Sequence, residues 1–150
     1  MPDVSPLDAH IGFWLRFVSN HVSHAFQRKV EAHGVTVAEW VVLRQLLALG
    51  EVPPSRLAEE MGMTRGGVSK LVDRLHAKKL VIRSAGGDDR RFQSVGLTAA
   101  GRRLVPKLAA LADKNDSEFF GHLSDEQRDQ LADLLKDLVR RRGLKGIPTQ

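Results

Sequence analysis

Asp88-Asp89-Arg90-Arg91 set two carboxylates beside two guanidiniums, and a little upstream Thr64, Arg65, Gly67, Ser69, Lys70 and Arg74 fall within one short stretch. Guanidinium, ammonium and hydroxyl groups placed this densely suit phosphate oxygens and the edges of bases, where bidentate cationic contacts are strong. Hydrolytic chemistry has no comparable support. Ser69, Asp73 and His76 share one helix, where successive turns cannot place nucleophile, base and orienter around one reacting atom, so no enzyme is expected. His21 and His24 stand one turn apart without an evident third ligand, and neither a metal nor another cofactor is expected.

Charge distribution points the same way. The net charge is +5, but Thr64 to Lys107 holds eleven Lys and Arg against three acids, a local +8 that leaves −3 for the rest. Clustered positive charge is rewarded by a polyanion, whose phosphates it neutralises. The 150 residues, 42% hydrophobic, suffice for one domain with a real core. The absence of cysteine excludes disulfides and thiolate metal sites. With no apolar run of about 18 residues and no basic leader with an apolar stretch, the expectation is a cytoplasmic protein with no membrane partner.

The elements that must position these groups are mostly helices. Ile11, Trp14, Leu15, Val18, Val22, Ala25, Phe26 and Val30 recur every three or four positions and predict a helix over 8–32. Thr36 and Glu39 have capping-box spacing and open a second helix that runs to Gly50. Pro53-Pro54-Ser55 opens a short third one ending at Gly62, and Thr64 opens a fourth with Val68, Leu71, Val72 and Leu75 on its inner side. The period then changes. Leu80-Val81-Ile82, a turn-rich tip and the alternation of Val95 and Leu97 predict a two-stranded hairpin. Thr98 caps a long fifth helix in which Pro106 predicts a kink, and Ser124 opens a sixth with Leu131, Leu134, Leu135, Leu138 and Val139 on one stripe.

A short helix, a glycine turn and a second helix make a helix-turn-helix, and a hairpin behind it makes a wing. The inward apolar set of the fourth helix leaves Thr64, Arg65, Gly67, Ser69, Lys70 and Arg74 on or beside its outer face. Arg90 and Arg91 then sit at the wing tip, where a narrow minor groove concentrates negative potential, and Asp89 is placed to hold an arginine in shape. Gly66-Gly67 costs about 1 kcal/mol per residue relative to alanine. Two uses offset it: close approach of the helix to DNA, or relief of crowding against the preceding helix.

Asp89-x-Arg91-x-x-x-Val95-x-Leu97-Thr98, together with Val41-Val42-Leu43 after Trp40, Leu57-Ala58 and Val68-Ser69-Lys70-Leu71-Val72-Asp73-Arg74-Leu75, resembles the MarR family of winged-helix regulators over nearly the whole chain. The resemblance implies a mainly α fold with a small β-hairpin wing, a single unit over 1–150. In it, 8–35 and 99–142 form dimerisation helices and 36–98 the winged helix-turn-helix. It further implies an obligate homodimer on double-stranded DNA with a pseudo-palindromic operator, the helix from Thr64 in the major groove and Arg91 in the minor groove. Two positions depart from the family pattern. Lys79 stands where glycine usually adopts a left-handed conformation, and Gly96 leaves the second wing strand without a packing side chain, which predicts a mobile wing.

Relatives with this fold often bind small aromatic or phenolic effectors between the dimerisation helices and the winged helix. Trp14, Arg16, Phe17, His21 and Trp40 are the candidate lining here, an aromatic wall with a cation for a carboxylate. The expected function is a ligand-responsive transcriptional regulator, a repressor in the commonest arrangement. The competing reading is an architectural DNA-binding protein without sequence preference.

Overall fold

The computed structural model describes residues 2–85 and 93–150. After a single 3-10 turn at Leu7–Ala9, six helices follow: α1 Ile11–Glu31, α2 Val37–Leu49, α3 Pro54–Met61, α4 Arg65–Ala77, α5 Ala99–Phe120 and α6 Asp125–Arg142. Between α4 and α5 lie β1 Val81–Ala85 and β2 Gln93–Leu97. Helix α1 starts later than its periodicity predicts, because the Trp14 indole N–H donates to the Asp8 carbonyl at 2.8 Å and the chain enters through the 3-10 turn. Among the described residues no helix is long and apolar enough to cross a membrane.

Caps set the boundaries. The Thr36 hydroxyl accepts from the Glu39 N–H at 3.1 Å while the Glu39 carboxylate accepts from the Thr36 N–H at 3.3 Å, the reciprocal box that opens α2. Ser124 and Gln127 form the same box at the start of α6. Helix α5 continues through Pro106, whose missing N–H leaves the Arg102 carbonyl without its helical donor.

The core lies within the winged helix. Leu43, Leu46, Leu57, Met61, Val68, Val72, Leu75, Val81 and Val95 are buried together, closed from above by Val30 of α1 and by Val105 and Leu108 of α5. Each such side chain contributes on the order of 2 kcal/mol by leaving water. The two strands pair antiparallel from Val81↔Leu97 to Ala85↔Gln93. Val95 also exchanges both main-chain bonds with Val52 (3.1 and 2.8 Å), so β2 has a partner on each side. Pro53 has no N–H to extend that pairing.

Two glycines govern close approaches around the hairpin. A Cβ on Gly101 would lie 2.2 Å from the Leu80 carbonyl oxygen, so only glycine lets the first turn of α5 sit on the start of the wing. At Gly96 a Cβ would lie 2.6 Å from Cγ of Glu51, whose carboxylate accepts a 3.4 Å hydrogen bond from Ser84. Gly96 therefore makes room for a side chain that reaches across the sheet, a packing role that the sequence reading did not foresee.

Candidate nucleic-acid interface

The turn between α3 and α4 is three residues long and defined by its hydrogen bonds. Gly62 is left-handed (φ 63°), its N–H donates to Glu59 at 3.2 Å, and the Met63 N–H donates back to Ala58 at 3.0 Å. This Schellman arrangement satisfies the Ala58 and Glu59 carbonyls of α3. Thr64 then caps α4, its hydroxyl accepting from the Gly67 N–H at 3.1 Å.

Helix α4 buries Val68, Leu71, Val72 and Leu75. That rotation leaves Thr64, Arg65, Ser69, Lys70 and Arg74 exposed, with Gly67 half-buried beside them. The structure thus gathers six of the nine residues assigned to DNA on the solvent side of α4 and its cap. The other three, Asp89, Arg90 and Arg91, lie outside the described residues. Around Gly66 the space is open, whereas a Cβ on Gly67 would come within 3.2 Å of both the Met63 methyl and the Thr64 hydroxyl oxygen. Gly67 therefore relieves crowding, but against its own turn rather than against α3.

The wing is tied to α4 in two places. Lys79 is the one non-glycine residue with positive φ (62°) among the described residues. It closes α4 through the Lys79 N–H to His76 and the Leu80 N–H to Leu75, both at 3.0 Å. The Thr98 hydroxyl donates to the Lys79 carbonyl at 2.8 Å while accepting from the Gly101 N–H at 3.1 Å, which joins that cap to the start of α5. Further out, the Arg83 guanidinium of β1 pairs with the Asp73 carboxylate of α4. Sequence reasoning missed Arg83. Its signal was a lone arginine in the first strand, on the strand facing an acid that the helix exposes.

The MarR family model matches residues 33–91, the stretch that holds this interface. A probable transcriptional regulator from Pseudomonas aeruginosa is 30% identical, with 89% of this chain and 99% of that one covered and a TM-score of 0.77. The chain belongs to the MarR family. Its structure is also similar to that of CouR from Rhodococcus jostii RHA1 bound to p-coumaroyl-CoA, 29% identical over 90% of this chain and 95% of that one, TM-score 0.76. Among curated relatives, the HTH-type transcriptional regulator MhqR of Bacillus subtilis is 26% identical, with 81% of each chain covered. As a MarR-family protein, this is a DNA-binding transcriptional regulator.

The five candidate effector-binding residues of this MarR-family chain are not brought together. Trp40 lines a cavity of about 290 Å³ between α1, α2 and α5, with Val22, Phe26 and Asn115. Trp14 instead faces an apolar groove of about 630 Å³ between α1, the end of α5 and α6. Phe17 and His21 stack on each other at 5.3 Å, and Arg16 is exposed. The physical reason is rotation: one face of α1 turns Val22 and Phe26 towards α2 and α5, while positions 16, 17 and 21 point elsewhere. The polar lining of the cavity includes Ser23, Asp116, Gln150 and the buried Asn115, which sequence reasoning did not single out. Asn115 is 4% exposed, donates to the Val22 carbonyl at 3.1 Å and accepts from the Lys29 ammonium at 2.9 Å. Lys29 also pairs with Glu118 at 2.9 Å. That hydrogen bond, more than the charges of Lys29 and Lys114, holds the Glu118 carboxyl below its ordinary pKa, against a smaller opposing effect of desolvation.

Proposed function

We propose that this protein acts as a homodimer on a pseudo-palindromic operator, as a repressor that occludes a promoter, and that a small aromatic effector releases it. The observation that carries this reading is the state of α6. Every residue of that helix keeps surface exposed, including Leu134 at 66% and Leu138 at 48%, and the first half of α1 is equally bare at Ile11 and Trp14. Apolar stripes of this length need cover, and a second copy supplies it symmetrically. The unit then spans 1–150, with 8–35 and 99–142 dimerising and 36–98 binding DNA. The dimer presents two copies of α4 at about 34–36 Å, one helical turn of DNA.

Thr64, Arg65, Gly67, Ser69, Lys70 and Arg74 are the base and phosphate contacts in this reading, and Asp89, Arg90 and Arg91 form the wing tip. The effector reading draws support from the aromatic walls Phe26 and Trp40 and from the p-coumaroyl-CoA bound by CouR. Such a regulator works in the cytoplasm and performs no catalysis.

The test combines sedimentation with salt-titrated binding to a duplex selected from a random pool. A dimer whose affinity for that duplex exceeds unrelated DNA by about 10³-fold or more supports the proposal. Lys70→Ala and Arg91→Ala should weaken binding and leave the dimer intact. A monomer, or binding that unrelated DNA competes away equally, overturns it, the latter in favour of an architectural protein.

A further inference from the structure

The residues after α6 fold back onto the helix-turn-helix. Gly143 ends α6 in a left-handed conformation (φ 58°). The Ile147 N–H then donates to the Met61 carbonyl at 3.1 Å, and the Ile147 side chain packs half-buried against the core. Gly146 passes so close to Gly62 that a Cβ on Gly62 would lie 2.6 Å from the Gly146 Cα. Met61 is the last residue of α3 and Gly62 the pivot of the turn that aims α4. The contact satisfies one of the orphan carbonyls at the end of α3.

The same segment reaches the cavity between α1, α2 and α5. Pro148 and Gln150 line it, together with Phe26, Trp40 and Asn115. Ile147 on the turn and Pro148 on the cavity are neighbours in the chain, and one residue spans at most about 3.6 Å. The link is also stiff. Proline fixes its own φ and keeps the preceding residue extended, so a displacement of Pro148 is not absorbed by rotation and passes to Ile147.

We infer that Leu144–Gln150 is a strap through which filling of this cavity is communicated to the Gly62–Thr64 turn, and so to the orientation of α4. Its effect on DNA affinity rests on the function proposed above, whereas the mechanical link stands without it. A ligand moves such an equilibrium only by preferring the displaced state, and here it does so by occupying the volume against which Pro148 and Gln150 rest. The coupling is reciprocal: DNA that favours the seated strap disfavours the ligand by the same factor.

The experiment fills the cavity without any ligand. Ala112→Phe projects a ring into it from α5, and Ser23→Phe does so from α1 should the first variant fail to fold by circular dichroism. Hydrogen exchange of the Ile147 amide is measured in the DNA-free protein. Affinity for the selected duplex is measured in the full chain and in a chain ending at Gly143. The strap predicts that filling the cavity lowers Ile147 protection at least tenfold. It also predicts about tenfold weaker DNA binding, within the ~5–150-fold range usual for coupled sites. In the shortened chain the same substitution should change affinity by less than about twofold. Unchanged Ile147 protection, or a loss of affinity that persists without the strap, overturns the inference. Should the wild type select no duplex, the operator reading fails and the exchange measurement still decides the strap.

Discussion

Lys78, one residue past the end of α4, closes on Glu39 at the start of α2: its ammonium lies 2.7 Å from Oε2 and 3.0 Å from Oε1, and donates a further bond to the Gly34 carbonyl at 2.8 Å. Glu39 is 1% exposed and also completes the capping box of α2. The far end of α4 is therefore clipped to α2 by a carboxylate that cannot turn to water.

Breaking a fully buried pair costs about 3–5 kcal/mol because the surviving charge stays buried. Lys78 retains 39% of its side-chain exposure, which admits some solvent to the site. Lys78→Met is accordingly expected to cost about 2 kcal/mol in urea unfolding. Glu39→Gln keeps a capping side chain and leaves only a half-exposed ammonium, so its cost is about 1 kcal/mol. The reverse order would mean that the ammonium left without its partner, rather than the buried carboxylate, carries the larger penalty.

Lys79 holds a left-handed conformation that costs a residue with a Cβ about 1–2 kcal/mol. Glycine removes that cost but loses more entropy on folding, so Lys79→Gly is expected to gain at most about 1 kcal/mol. A β-branched residue tolerates this region worst, and Lys79→Val should lose about 1 kcal/mol or more. Thermal unfolding of the three proteins checks the ranking; valine tolerated at no cost would contradict the cap.

The Glu118 carboxyl is held below its ordinary pKa by the Lys29 hydrogen bond. A carboxyl lowered on folding contributes stability that is complete above the unfolded value, about 4.3 for glutamate, and is lost as pH falls from there through the folded value. Wild type and Glu118→Gln should therefore differ in Tm at neutral pH and converge on acidification. A difference that persists once acid has protonated the carboxyl would place the effect in packing instead.

Much of this fold is legible in the sequence because its helices carry their own stop and start signals. Thr36 with Glu39, Gly62, Thr64 and Ser124 all cap where spacing alone puts them. The face of α4 is equally plain, since four buried residues at helical spacing determine which six remain beside the solvent. Tertiary partners are not legible in the same way. Glu39 reads as a cap and gives no hint of Lys78, and the Val52 bridge to Val95 rests on a single residue with no periodic pattern around it. Aromatic residues on α1 read as one wall with Trp40, yet rotation of the helix turns Phe26 to Trp40 and leaves Trp14 and Phe17 packed on Phe13, away from it. Leu144–Gln150 has no pattern at all, and its seat on Met61 follows only from where α6 ends.

Arg83 separates positioning from phosphate contact at the interface. Its charge is already engaged by Asp73, so it is poorly placed to release counterions from DNA, whereas Lys70 is exposed on the face of α4. The slope of affinity against salt counts neutralised phosphates, at about 0.9 per contact on duplex DNA. Lys70→Ala should flatten that slope by about one contact. Arg83→Met is expected to weaken binding about tenfold, the loss of roughly 1.4 kcal/mol that misplacing the wing would bring, with the slope unchanged. Asp73→Asn, which removes the partner rather than the arginine, should lose affinity in the same direction if the pair positions the wing. A flatter slope in Arg83→Met would instead make Arg83 itself a phosphate contact and leave the Lys79–Thr98 cap as the remaining hydrogen-bonded tie between α4 and the wing.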